Sequence, residues 1–389
     1  MIKYPLIHST WNKDEFKAIN KVVKTGMFTM GKNVSEFEKK FSKYQGKKYG
    51  VMVNSGSSAN LVSIASLFYK KKNPLKRGDE VIVPAVSWST TYAPLQQLGL
   101  KIKLVDIELD TFNVDFEKLK KAVSKKTKLI VAVSLLGIPA ELQKIKKLCK
   151  EKNILFFEDN CESLGAEINK KKTGSFGDLA SHSFFFSHHI CTMEGGMVVT
   201  DDFELYCLMK VLRAHGWSRD LPKKNPLIKL KKNDFYEQYK FILPGFNLRP
   251  GEMHAAVGLV QLKKINSLIN MRIKNLKLFQ KYFNKDENFI IPKTKYKSSS
   301  FAFPMIIKNK DPNFKLKIFK ALKKNKIDFR LVTGGCFTNQ KYAKLFDYTI
   351  FDNLKNSELL HNQGFFVGNA STDLSKQIKK LHDVLSNII

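Results

Sequence analysis

The sequence has little of several features that identify common classes of protein. No apolar run approaches the roughly 20 residues that a membrane-spanning helix needs, and the first residues, MIKYPLIHST, lack the apolar stretch of a signal peptide. The five cysteines are scattered, odd in number and form no CxxC pair, which argues against a disulfide framework and a cysteine metal site. We therefore expect a cytoplasmic protein without a bound metal.

Arginine is scarce as well, at six of the 67 basic residues, although the formal net charge is +32. Such a charge is often interpreted as nucleic-acid binding, but proteins that read bases and phosphates favour the bidentate guanidinium. The lysines are spread along almost the whole chain, as codon bias would spread them. We expect neither nucleic acid nor a membrane as a partner, although a broad positive field would attract an anionic nucleotide substrate.

Lysine and arginine are both absent from residues 174–209. Buried strands avoid charge in any case, which accounts for part of this gap. It does not account for the pair His188-His189 just before Glu194-Gly195-Gly196. Because imidazole moves protons near neutral pH, His188 is a candidate acid/base.

The hydrophobic pattern predicts strands that alternate with helices. The strand candidates are residues 49–53, 80–83, 102–105, 128–133, 154–157, 181–186 and 197–200. Helical segments are predicted at 14–23, 34–44, 58–69, 116–123, 140–150 and 252–282. The alternation predicts an α/β fold, with a mostly parallel mixed sheet and helices on both faces. We expect a large domain over residues 1–250, then a long helix and a small C-terminal α+β domain over residues 251–389. A lysine-rich stretch at 222–234 is expected at the surface.

Three motifs follow predicted strands, where the binding crevices of α/β sheets lie. Residues 54–60, NSGSSAN, open a helix whose first N–H groups suit a phosphate, although serine and glycine are also common as plain helix caps. Residues 158–162, EDNCE, end a strand in carboxylates that either hold a heteroaromatic nitrogen protonated or cap the strand end. Trp88 is either a core aromatic or a stacking platform for a planar cofactor.

The rare arginines are candidates for recognising pyrophosphate or carboxylate. Arg219 lies close to His215 in the segment 213–219, RAHGWSR, and Arg330 precedes a Gly334-Gly335 pair. From the sequence, a structural salt bridge is an equally good interpretation of each arginine.

Together these motifs resemble the DegT/DnrJ/EryC1/StrS family of sugar-nucleotide aminotransferases, which are pyridoxal phosphate-dependent transferases of fold type I. The likeness covers nearly the whole chain, because the phosphate loop, the aromatic residue, the Glu-Asp pair, the lysine loop and a Gly-x-Asn-x-Arg motif occur in the family's order. The segments GMFTMG at 26–31, VPAVSWSTTYAPLQQ at 83–97 and SHHI at 187–190 resemble a dehydratase branch that acts on GDP-linked sugars. In the aminotransferases, a lysine at the place of His188 holds the cofactor as a Schiff base, which imidazole cannot form.

The resemblance implies a role for each matching residue. Pyridoxal 5′-phosphate and its pyridoxamine form would bind non-covalently, with His188 as the catalytic acid/base. The implied cofactor contacts are Gly56, Ser57, Ser58, Trp88, Asp159, Glu162, Ser183 and Asn247. Asn247 would reach the cofactor of the neighbouring subunit in a homodimer with shared active sites. The implied substrate contacts are Ser187, His215, Arg219 and Arg330.

The implied reaction is removal of the C3 hydroxyl of a nucleotide-linked 4-keto-6-deoxy sugar, with L-glutamate recharging the cofactor. Three alternatives stay open: an aminotransferase-like enzyme, a CDP-sugar 3-dehydratase that needs an iron–sulfur cluster and a reductase, and an inactive cofactor-sensing regulator. The scattered cysteines disfavour the second and the intact phosphate loop disfavours the third. The departures at Gly334-Gly335 and 222–234 leave the nucleotide base and the sugar epimer open.

Overall fold

The computed structural model of the chain describes residues 2–229 and 235–388, so residues 230–234 of the lysine-rich stretch lie outside the described residues. The α-helices are α1 Lys13–Thr25, α2 Lys32–Gln45, α3 Gly56–Leu67, α4 Ser89–Gln97, α5 Phe116–Ala122, α6 Leu142–Lys152, α7 Phe203–Arg213, α8 Glu252–Phe283, α9 Pro312–Lys324, α10 Lys355–Gln363 and α11 Ser375–Ser386. The strands are β1 Tyr49–Val53, β2 Glu80–Pro84, β3 Lys101–Val105, β4 Thr127–Val133, β5 Leu155–Asp159, β6 Glu167–Ile168, β7 Lys171–Lys172, β8 Leu179–Ser183, β9 Gly196–Thr200, β10 Phe289–Ile290, β11 Ala302–Ile307, β12 Phe329–Arg330, β13 Tyr348–Ile350 and β14 Gly364–Gly368.

The large sheet has eight strands in the order β1-β9-β8-β5-β4-β2-β3-β13. The pairs from β8 through β13 are parallel, and β9 is antiparallel to both of its neighbours. Alternate residues of β2 enter different cores: Val81 and Val83 pack on the side of α3 and α7, and Ile82 on the side of α5 and α6. The predicted mostly parallel mixed sheet, covered on both faces, is confirmed.

The strand predicted at 181–186 was too long at its carboxyl end, because β8 ends at Ser183. Beyond it the Phe184 N–H donates to the Gly195 carbonyl, and the His188 N–H closes a turn on the Phe185 carbonyl. The run of phenylalanines resembles a buried strand, but the side chains of Phe185 and Phe186 are each 44% exposed. The chain therefore leaves the sheet after Ser183 and turns just before His188.

A second sheet, antiparallel and of four strands, has the order β10-β11-β14-β12. It packs with α9 and α11 around Phe303 and Phe365. Helix α8 joins the two parts, since Ile265 packs under the large sheet and Phe279 in the small core. Strand β13, although late in the chain, extends the large sheet beside β3. The domain division at residue 250 stays a prediction.

The N-terminal segment connects the small sheet to the loop that carries His188. Tyr4 is fully buried beside that sheet, pairs with Ile327 and donates its hydroxyl to the Gly368 carbonyl at 2.8 Å. Further along, the Trp11 indole N–H donates to the Cys191 carbonyl at 3.0 Å.

Within residues 2–229 and 235–388, no helix is both long and apolar enough to cross a bilayer.

We predict that Tyr4 anchors this segment. Tyr4→Ala should lower the free energy of unfolding by about 3–5 kcal/mol, because a fully buried ring leaves a cavity, and Tyr4→Phe by about 1 kcal/mol for the lost hydrogen bond. Equilibrium urea unfolding measures both values. Ile2→Ala, at a side chain that is 43% exposed, is the control and should change little. Equal stability of Tyr4→Ala and the wild type would contradict the prediction.

Candidate active site

A cavity of about 600 Å³ lies at one edge of the large sheet. Strands β1, β2, β4, β5 and β8 run in the same direction, so their carboxyl ends meet at this edge, where ligands of α/β sheets bind. Among the residues lining the cavity are Ile7, Ser55, Gly56, Ser57, Asn60, Trp88, Thr91, Leu136, Asp159, Cys161, Glu162, Ser183, Ser187, His188, Glu194, Phe301 and Arg330. No lysine occurs among the described residues that line it.

The turn between β1 and α3 exposes the start of a helix to the cavity. Ser55 is the N-cap, and its hydroxyl accepts the Ser58 N–H at 3.0 Å. The N–H groups of Gly56 and Ser57 come before any partner in the helix, so they are free to bind an anion. Ser58 does not line the cavity and instead completes the cap.

Asp159, the last residue of β5, is buried and held by several donors. Its Oδ2 accepts the Asn60 amide at 2.9 Å and the Thr91 hydroxyl at 2.7 Å, and its Oδ1 accepts the Cys161 N–H at 3.3 Å. Thr91 in turn bonds Ser87 at 2.7 Å. The carboxylate therefore has one fixed orientation at the cavity floor.

Trp88 caps the start of α4 and remains 57% exposed, although it is one of the largest side chains at the cavity. A large indole so exposed is unusual in a core position, and its face offers a flat apolar surface beside Asp159. Of the two interpretations from the sequence, the structure does not support a core aromatic.

Among the described residues, the His188 side chain makes one hydrogen bond, in which Nδ1 lies 2.8 Å from the Cys161 carbonyl oxygen. A carbonyl only accepts, so Nδ1 carries the proton and Nε2 is left with a free lone pair. Burial lowers the pKa of His188 to about 4; the hydrogen bond opposes this shift and the charge of Arg272 adds to it. The imidazole is therefore neutral at neutral pH and able to accept a proton.

Glu162 lines the same cavity, and its Oε2 accepts the Leu136 N–H at 2.8 Å. Burial raises the pKa of this carboxyl to about 7, the charge of Asp159 raises it further and the Leu136 N–H opposes both. Two acidic side chains of one motif thus have different environments. Asp159 accepts three hydrogen bonds and has room for one more donor, whereas Glu162 accepts one and exchanges a proton near neutral pH.

Besides Ser58, three candidates from the sequence do not line this cavity in the single chain. Asn247 pairs with Ala214 and accepts the Arg249 Nε–H at 3.2 Å. Arg219 lies over the Trp217 ring at 4.6 Å and lines a separate cavity of about 510 Å³. His215 has a φ of 62° and donates its backbone N–H to the Phe246 carbonyl. Ser187 and Arg330 do line the main cavity.

Sequence reasoning missed several residues of the cavity. Asn60 on α3 and Thr91 on α4 both donate hydrogen bonds to Asp159. Each lies within a motif that had been singled out for the roles of other residues. Phe301, whose ring centroid is 5.0 Å from that of His188, and Ile7 carry no sequence signal of a site. They reach the cavity only because the small sheet and the N-terminal segment fold over it.

The comparisons with known proteins agree with this geometry. The model of the DegT/DnrJ/EryC1/StrS aminotransferase family matches residues 9–380, and the chain belongs to this family. The chain is 49% identical to GDP-4-keto-6-deoxy-D-mannose 3-dehydratase of Yersinia pseudotuberculosis over 99% of this chain and 98% of the relative. Its fold is that of the pyridoxal phosphate-dependent aminotransferases.

Two solved structures are similar over almost the whole chain. The Escherichia coli GDP-4-keto-6-deoxy-D-mannose-3-dehydratase with bound hydrated PLP has a TM-score of 0.96 and 47% identity, and the match covers 99% of this chain and 100% of that one. A GDP-4-keto-6-deoxymannose-3-dehydratase with a trapped PLP-glutamate geminal diamine also has a TM-score of 0.96 and 47% identity, over 98% and 100% of the two chains.

The residues of the cavity fit pyridoxal phosphate. A Cβ on Gly56 would lie 2.6 Å from the Cβ of Ser183, so glycine lets the start of α3, with its free N–H groups, pack closely against the end of β8 beside the cavity. Asp159 is fixed as an acceptor for a ring N–H, and Trp88 offers an exposed face to a planar ring. Phosphate donor, acidic acceptor and stacking surface occur in one cavity, as this cofactor requires.

We predict that Glu162 makes stability depend on pH in the cofactor-free protein. Its folded-state pKa, about 7, lies above its ordinary value of 4.5. The carboxyl's contribution to stability is therefore fully present below pH 4.5 and is lost as the pH rises through 7. Relative to Glu162→Gln, the wild type should lose up to about 3 kcal/mol of unfolding free energy over this range.

Urea unfolding of both proteins at pH values across this window checks the prediction. Glu117→Gln, at an exposed position in the first turn of α5, is the matched control and should follow the wild type. Parallel stability curves for the wild type and Glu162→Gln would show that Glu162 does not take up a proton on folding.

Proposed function

We propose that the chain is a pyridoxamine phosphate-dependent 3-dehydratase that removes the C3 hydroxyl of a nucleotide-linked 4-keto-6-deoxy sugar. The sugar nucleotide that we propose is GDP-4-keto-6-deoxy-D-mannose, in accord with the relatives at 49% and 47% identity. The observation that carries the proposal is a neutral imidazole with a free Nε2, in a cofactor-type cavity without a lysine among its described lining residues. Such a site moves protons but holds no aldehyde covalently.

The cofactor, when bound as pyridoxamine phosphate, supplies an amine that condenses with the C4 ketone and a ring that stores the electron pair of a cleaved C–H bond. The start of α3, at Gly56 and Ser57, binds the phosphate. Asp159 keeps the ring nitrogen protonated, and Trp88 stacks on the ring. These contacts orient the cofactor without a covalent bond to the chain.

His188 moves the protons of the reaction. Nε2, which is free because Nδ1 is bonded to the Cys161 carbonyl, accepts the proton from the reacting carbon. The resulting imidazolium then gives that proton to the C3 hydroxyl, which leaves as water. Apolar side chains such as Phe301 and Ile7, which line the cavity, limit the access of bulk water. L-Glutamate restores the amine form of the cofactor.

We also propose a homodimer with shared active sites. Asn247 lies away from the cavity of its own chain and would contact the cofactor phosphate of the partner subunit. Large apolar side chains are exposed in the single chain, including Met27 at 59%, Phe28 at 51% and Phe241 at 58%. A dimer interface would remove such apolar side chains from water.

The direct test is incubation with L-glutamate, pyridoxal phosphate and a panel of GDP-, CDP- and dTDP-linked 4-keto-6-deoxy sugars. A 3-dehydratase releases ammonia and a C3-deoxy sugar in equal amounts. Formation of a 4-amino sugar would instead identify an aminotransferase, and activity on CDP-sugars that needs a reductase would identify the other dehydratase class. No product from any sugar, with cofactor bound, would favour the regulator.

We predict that the cofactor is bound without a covalent link. Borohydride reduction of the pyridoxal phosphate-loaded protein, followed by mass spectrometry of the intact chain, should give the mass of the unmodified polypeptide. A lysine-dependent aminotransferase treated in parallel is the positive control. A reduced cofactor attached to any lysine would contradict the assignment of His188.

We predict that His188 is required for dehydration and not for cofactor binding. His188→Asn should lower C3-deoxy sugar formation by at least about 10²-fold, the usual contribution of an acid/base, and should still bind pyridoxamine phosphate. His188→Lys should attach the cofactor and lose dehydration. His189→Asn and His215→Asn are the matched controls, and loss of activity in these variants alone would assign the role to a different imidazole.

A further inference from the structure

Arg272 is a buried cation that the proposed reaction does not use. It lies in the middle of α8, and its side chain is only 3% exposed. Nη1 donates to the carbonyls of Phe301 at 3.0 Å and Asn369 at 3.1 Å, and Nε donates to the Ser371 hydroxyl at 3.3 Å. Over residues 2–229 and 235–388, no carboxylate forms an ion pair with it.

A buried charge without a counter-ion is costly, because carbonyl dipoles replace water only in part. Burial lowers the pKa of Arg272 to about 10, so the group is still charged at neutral pH. Its full positive charge therefore acts on neighbouring groups in a region of low dielectric. The same charge lowers the pKa of three histidines: His8, His188 and His189.

The hydrogen bonds of Arg272 also connect it to the residues that surround His188. Phe301, whose carbonyl it holds, places its ring 5.0 Å from the His188 ring and 6.2 Å from that of His189. The Phe301 N–H donates to the Leu136 carbonyl at 2.7 Å, and the Leu136 N–H donates to Glu162. One guanidinium thus anchors the segment that packs on the acid/base and orients the neighbouring carboxyl.

We propose that Arg272 is a positioning residue for His188: it holds the Phe301 segment whose ring packs on the imidazole, and its uncompensated charge adds to the effect of burial in opposing the imidazolium form. The proposal rests on the proposed function of His188. Nε2 is free because Nδ1 is bonded to the Cys161 carbonyl, and a positive charge nearby makes a proton taken up at Nε2 less tightly held. Once the imidazolium has formed, the same charge favours its rapid loss of the proton to the leaving hydroxyl.

Other charged groups also face the imidazole, and they act in both directions. Ionised carboxylates favour the protonated imidazole, whereas cations oppose it. The groups that line the cavity with His188, or pack beside it, are Asp159, Glu162, Glu194, Arg330, His189 and Cys161. Glu162 changes charge near neutral pH, whereas the charge of Arg272 and its opposing effect on the imidazole stay constant across this range.

The test is an NMR titration of the cofactor-free protein labelled with [13Cε1]histidine, in which His188→Asn identifies the His188 signal. Arg272→Met, which fills a similar volume without the charge, should raise the titration midpoint of His188 by about one pH unit. Lys274→Gln removes the same charge from the exposed face of the same helix and should leave the midpoint unchanged. An unchanged midpoint in folded Arg272→Met would overturn the proposal.

Ser371→Asp provides a second test that keeps the guanidinium and its bonds to the two carbonyls. The new carboxylate would lie at Nε and neutralise the charge, so the midpoint of His188 should again rise, whereas in Ser371→Asn it should stay at the wild-type value. This pair decides the matter if Arg272→Met does not fold. Equal midpoints in Ser371→Asp and Ser371→Asn would overturn the role of the charge.

Activity separates this proposal from the proposed function. In the dehydration assay, Arg272→Met should lower kcat roughly tenfold with little change in KM, and should shift the acid limb of the pH profile with the imidazole midpoint. If the midpoints shift but wild-type protein dehydrates no sugar, the proposed function fails and the effect of Arg272 on the imidazole stands. If wild type is active and the Arg272→Met pH profile is unchanged, only the role of Arg272 fails.

Discussion

The hydrogen bond between the His188 Nδ1 and the Cys161 carbonyl is the contact on which the rest of the site depends. It joins the loop after β8 to the carboxyl end of β5, and it leaves Nε2 unprotonated. Cys161 is itself held because its N–H bonds Asp159, the residue that ends β5. The orientation of the imidazole is therefore set by the same strand end that supplies the acidic acceptor for the cofactor ring. A change in that strand end would alter both functions together.

The electrostatics of the cavity follow from how each charged group is paired. Asp159 accepts hydrogen bonds from three donors, whereas Glu162 accepts one, and burial raises the pKa of Glu162 to about 7. The uncompensated guanidinium of Arg272 is linked to Glu162 through the backbone hydrogen bonds of Phe301 and Leu136. Carboxylates that favour imidazolium and a cation that opposes it thus act on one histidine, whose neutral form the burial also favours.

Much of the large sheet was predictable, because its strands are short apolar runs bounded by polar turns. The prediction for β1 matched its bounds, and β2, β3 and β4 differed by a residue or less at their ends. The prediction at 181–186 failed at its carboxyl end, since apolar character there comes from phenylalanines exposed beside the cavity rather than buried in a strand. Strand β13 could not be predicted as part of the large sheet, because its pairing with β3 joins residues far apart in the chain.

The sequence by itself determined the class of fold, the family and the histidine at the place of a lysine, because these depend on local periodicity and on motifs of adjacent residues. Only the tertiary structure decided the tautomer and low pKa of His188, the donors of Asp159 and the raised pKa of Glu162. Each of these depends on burial and on a partner from another element, such as Thr91 on α4 or Leu136 after β4. Protonation depends on which groups lose water and which dipoles replace it, and that is decided only when distant segments pack together.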